Sequence, residues 1–77
     1  MNASIYPPAP TGAALAKMIA DTRAELRDPR STERHREIVR TMISLLKHGH
    51  VTRDEHGKFR VTAKGVAERG LPDTALS

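Results

Sequence analysis

The chain has no cysteine in its 77 residues, which excludes a disulfide framework, a thiolate metal site and a cysteine nucleophile. Tryptophan is absent too, and Tyr6 and Phe59 are the whole aromatic complement. Single-strand and RNA binders stack bases on aromatic platforms, and two rings are too few to build one. No apolar run approaches the roughly 18–20 residues needed to span a bilayer. The amino-terminal residues lack the basic region and continuous apolar stretch of a signal peptide. The expectation is a soluble cytoplasmic protein with no membrane partner. A glycine-rich phosphate loop, a nucleophile motif and a carboxylate pair in an apolar setting are missing as well, so nothing in the residue pattern favours an enzyme or calls for a cofactor.

What is present bounds one small domain. At this length a single core gives only a few kcal/mol of net stability unless something else contributes, so either a lean monomer or an oligomer is expected. Thirteen Lys and Arg against nine Asp and Glu leave a net charge of +4. Up to and including Arg30 there are four basic and three acidic residues; beyond it there are nine and six. A polyanion partner would therefore face the second part of the chain. With no stacking platform, duplex DNA is the nucleic acid to expect.

Residues 1–10, MNASIYPPAP, carry three prolines and read as an extended arm, anchored only if Ile5 and Tyr6 dock on the body. Thr11 is placed to cap a first helix from Gly12 to about Arg27. In it Leu15, Met18, Ile19, Thr22 and Leu26 share an arc of about 100°. Asp28 and Pro29 end that helix. They also offer a start for the next, with Asp28 as N-cap and Pro29 at the first helical position; Ser31 is the competing cap.

The second helix, from about Ser31 to His48, has the clearest periodicity. Leu45, Ile38, Met42, Leu46, Val39 and Ile43 fill an arc of about 160°, with His35 pointing into it. The opposite side places Arg36, Arg40 and Lys47 close to one line, followed by Glu33, Ser44, Glu37 and Thr41. Gly49 is the expected left-handed residue after the helix. The long apolar stripe has little to cover it within so short a chain, which raises the expectation of a homodimer.

From His50 the period changes to two. Asp54 to Gly57 reads as a turn, with Gly57 supplying the positive φ of a three-residue loop. The register that keeps apolar residues on one side pairs Val51 with Val61 and Arg53 with Phe59. Thr62 then caps a short helix from Ala63 to Arg69, which Gly70, Leu71 and Pro72 terminate. Residues 11–70 form the expected domain, and 71–77 read as a flexible tail. The fold class is mainly α with a small β-hairpin: two long helices, a two-stranded hairpin and a short C-terminal helix.

The run Leu45-Leu46-Lys47-His48-Gly49-His50-Val51-Thr52-Arg53, followed by Gly57-Lys58-Phe59-Arg60-Val61-Thr62-Ala63-Lys64-Gly65, resembles the carboxy-terminal half of bacterial winged helix-turn-helix DNA-binding regulators. The resemblance covers about residues 34–69. In that family a helix ends at a glycine, a strand with a buried β-branched residue follows, a basic wing turns at a glycine, and the return strand leads into a Thr-x-x-Gly step. Upstream the chain departs from the pattern: there is room for two helices before the wing, where the family has three.

The resemblance implies a small transcription regulator that binds double-stranded DNA. The outer face of helix 31–48, with Arg34, Arg36, Arg40, Thr41 and Lys47, would enter the major groove. The wing, with Arg53, Lys58 and Arg60, would lie against phosphates or the minor groove. The plainer reading of the same helix face is a solvated surface laced by charge pairs three and four residues apart. The alternative function is a protein-interaction module that keeps the scaffold and binds a protein partner through the Ile38 to Leu46 helix or the arm at Ile5 and Tyr6. His48, His50 and His56 lie close in sequence, but with no cysteine and no spacing that forces them to converge, no metal site is assigned.

Overall fold

The computed structural model describes residues 6–71 together with the backbone of 75–76. Helix α1 spans Gly12–Ala24 and tightens into a 3-10 turn at Glu25–Arg27. Helix α2 spans Glu33–Lys47, strands β1 and β2 span Val51–Arg53 and Phe59–Val61, helix α3 spans Ala63–Arg69, and strand β3 spans Ala75–Leu76. The architecture is mainly helical with an antiparallel hairpin and a short helix after it, a winged-helix-like arrangement. No described helix is long and apolar enough to cross a membrane.

Each element starts and stops for a local reason. Thr11 occupies the N-cap position of α1 in an extended conformation, but its side chain makes no capping bond. The cap of α2 is Thr32, whose Oγ1 accepts from the His35 N–H at 3.1 Å. Neither Asp28 nor Ser31 fills that role. Asp28 instead accepts from the Arg30 N–H at 2.9 Å, and the Ser31 hydroxyl donates to the Glu25 carbonyl. Pro29 therefore lies in the turn between the helices and not at a helix start. Helix α2 is continuous, and it closes at Gly49 with φ +77°, where Gly49 and His50 donate back to the Leu46 and Leu45 carbonyls.

The hairpin has the register expected from its alternation: Val51 opposite Val61 and Arg53 opposite Phe59. Gly57 takes φ +80°. Asp54 organises the tip, because its Oδ1 accepts from the N–H groups of both His56 and Lys58 at 2.9 Å. Where the sequence indicated a tail, the chain adds a third strand: β3 pairs antiparallel with β2, Phe59 opposite Leu76. The outer edge of β2 offers unpaired backbone groups, and an extended segment satisfies them. Leu71, also assigned to the tail, packs against the core.

The core consists of Val39, Ile43, Leu45, Leu46, Val51 and Val61, with Leu15, Met18, Ile19, Met42 and Phe59 packed at its edge. The junction between α2, β1 and α3 is tied by one residue. Thr62 donates its hydroxyl to the Gly49 carbonyl at 2.7 Å, accepts from the Gly65 N–H at 3.1 Å and donates its own N–H to the His50 carbonyl. Gly65 is buried directly under that carbonyl, and a Cβ there would collide with it. In the arm, residues 7–10 run without helix or strand, yet Tyr6, Pro7, Ala9 and Pro10 are half-buried, and Ala9 lies beside Gly49. Ile5 lies outside the described residues.

Candidate nucleic-acid interface

At roughly 100° per residue, the buried Val39, Ile43 and Leu46 define the inner side of α2. The line facing away from them begins with Arg34, Glu37 and Thr41, all exposed. It ends there, because Leu45, on the same side one turn further on, is buried in the cluster with Val51. The line through Arg34, Glu37 and Thr41 thus stops at Thr41, and beyond it the exposed Ser44 continues the outward face on the Arg40 side.

Arg36, Arg40 and Lys47 form a second line on one flank. Arg40 and Lys47 are exposed, while Arg36 is half-buried. Arg40 is held only loosely, 3.8 Å from Glu33 across exposed surface, an ion pair that contributes little. Thr41 donates its hydroxyl to the Glu37 carbonyl at 3.0 Å, which leaves its oxygen as an acceptor. The helix therefore carries polar side chains on two lines roughly 130° apart, with Arg34 and Thr41 on one and the cations Arg36, Arg40 and Lys47 on the other.

The hairpin stands on the opposite flank of α2 from Arg40. Gly57 and Phe59 share a groove of about 520 Å³ with His35, Ile38, Val39 and Met42 of α2 and Thr22 and Glu25 of the α1 end. Ile38 is 48% exposed at its mouth, although the periodicity placed it within the buried stripe; His35 is exposed as well. Leu45, further out on the same edge of the arc but two turns on, is buried, so the exposure of Ile38 follows from its place along α2 and not from the width of the arc.

Of the three hairpin cations, Lys58 and Arg60 are exposed and Arg53 is not. The Arg53 side chain, 19% exposed, donates to Thr22 Oγ1 at 2.8 Å and to Glu25 Oε2 at 3.2 Å, and its guanidinium lies 5.3 Å from the centre of the Phe59 ring. Its charge is spent on holding the hairpin against α1. Glu25 completes a clamp that the sequence reading missed, since its Oε1 also lies 3.4 Å from His35 Nε2 on the first turn of α2. One carboxylate joins the hairpin, the end of α1 and the start of α2.

The histidines do not gather. His48 and His50 stack with centroids 5.5 Å apart, and His56 sits at the hairpin tip beside Glu55. His50, only 4% exposed, donates from Nε2 to Glu68 Oε1 at 3.0 Å, and its Nδ1 has no hydrogen-bond partner among the described residues. That bond holds the Glu68 carboxyl below its ordinary range. The backbone N–H of Lys58 does the same to Asp54. Among the described residues no three His, Asp or Glu side chains converge as metal ligands would. The chain matches no protein-family model, no curated protein and no solved structure.

Proposed function

We propose that the protein is a small cytoplasmic transcription regulator that binds double-stranded DNA through the outer face of α2 and the adjoining hairpin. The observation that supports this reading is the line of cations Arg36, Arg40 and Lys47 along one flank of α2, with the hairpin that carries the exposed Lys58 and Arg60 packed against the other. A major groove about 12 Å wide accepts a helix between two phosphate rows, and a helix with cationic flanks matches that charge distribution. Arg34 and Thr41 point where base edges would lie. Arg53 has no part in contact and acts by setting the hairpin's angle.

The homodimer belongs to this reading, because the six apolar residues buried among those described make a lean core for a lone domain. The test is selection of duplexes from random DNA with purified protein. A preferred site is expected, and Arg40→Ala is expected to weaken binding about equally across duplexes and to reduce the salt slope by about 1. A failure to retain any duplex at low salt would refute it. The groove between Ile38, Met42 and Phe59 favours a second reading, in which a protein partner docks there; that reading gains if no duplex is retained.

A further inference from the structure

Ile38 is an exposed large apolar side chain on a face that otherwise presents charge and hydroxyl. It lies one helical turn from both Arg34 and Thr41. The three share an arc of roughly 60°, and together with Glu37 and Met42 they line a shallow depression of about 320 Å³. The depression is mixed in chemistry: Arg34 and Glu37 bring charges of opposite sign, Thr41 a hydroxyl and a methyl group, and Ile38 and Met42 apolar surface. The Thr41 hydroxyl proton is already committed to the Glu37 carbonyl, so Thr41 has no hydroxyl proton left to donate to a base.

The major-groove edges of the four base pairs offer one apolar group, the C5 methyl of thymine; the rest are hydrogen-bonding atoms. We propose that Ile38, with the Thr41 methyl and Met42, forms a pocket for a thymine methyl, and that Arg34 reads a guanine close to it through O6 and N7. This rests on the duplex-binding reading. It adds to that reading a specificity determinant that a search for basic residues passes over. The cationic flanks supply attraction without sequence information. The Arg34, Ile38 and Thr41 face would supply the discrimination.

A single atom group decides the matter, because uracil differs from thymine only by the missing methyl. Each thymine of the selected duplex is replaced in turn by uracil, and binding is measured for the wild-type chain and for Ile38→Ala. At one thymine per bound chain, uracil is expected to weaken the wild type about fourfold, the effect of one buried methyl-sized group. Ile38→Ala is expected to bind the thymine and uracil duplexes equally, with a melting temperature close to wild type because the side chain is half exposed. If a duplex is selected but no uracil weakens binding, or if the same uracil weakens Ile38→Ala as much as wild type, the pocket is refuted while duplex binding stands. If no duplex is selected at all, the underlying reading falls first.

Discussion

Two carboxylates connect local geometry to a pH dependence whose sign is fixed. Asp54 is held below its ordinary value of 3.8, chiefly by the Lys58 backbone N–H, and Glu68 below 4.5, chiefly by its hydrogen bond from His50. A folded-state value lowered in this way means that the unfolded chain takes up protons first as pH falls. The stabilisation from both groups is therefore complete above about pH 5 and is lost as pH drops through the carboxylate range and below the folded values. Both side chains are solvent-accessible, so each effect is modest. Melting temperatures followed from pH 5 to pH 3 should fall less steeply for Asp54→Asn than for wild type, since the amide oxygen keeps the acceptor but cannot titrate. Glu68→Gln should flatten the same limb by a separate route, through the bond to His50. Slopes identical to wild type in both variants would contradict the assignment.

The hairpin is the element whose angle the clamp fixes, and its tip depends on one backbone conformation. Gly57 sits at φ +80°, and a Cβ there would come within 3.4 Å of Arg53 Nη2. Gly57→Val places a β-branched residue in the left-handed region, at a cost of about 1–2 kcal/mol or more. For a domain of this size the melting temperature should then fall by about 5–15 °C; an unchanged value would contradict the turn. This part of the fold was legible in the sequence because its determinants are local. Period-two alternation, a turn glycine, and threonine and glycine at fixed offsets gave the register, the Thr62 cap and the Gly49 and Gly70 helix ends. The inward position of Arg53 was partly legible, since a register that sets it opposite Phe59 places it on the Val51 and Val61 side. Its partner Glu25 was not, being 28 residues away in a 3-10 turn whose orientation depends on packing. Ile38 was hidden for the converse reason: periodicity gives the width of an apolar arc and not how much of it the neighbouring elements cover. Strand β3 is two residues long, too short to show a period.

At the level of the whole molecule, the clamp separates two kinds of cation that composition treats alike. Each cation that neutralises a phosphate releases a counterion, so log affinity should fall with log salt at a slope of about −0.9 per phosphate contacted. Lys58 and Arg60 are exposed on the hairpin, and Lys58→Ala or Arg60→Ala should each reduce the magnitude of that slope by about 1 while leaving the melting temperature near wild type. Arg53→Ala should do the reverse. It removes the bonds to Thr22 and Glu25 and the contact over Phe59, so the melting temperature falls. The salt slope then changes only as far as the loosened hairpin takes Lys58 and Arg60 off their phosphates, so in a chain already carrying Lys58→Ala and Arg60→Ala the further change Arg53→Ala should leave the slope where it is. Titrations of the selected duplex at several salt concentrations, paired with thermal unfolding of the same variants, read both quantities independently. A slope reduced further by Arg53→Ala in that background would mean that Arg53 leaves its clamp to meet DNA. The division between positioning and contacting cations would then be wrong.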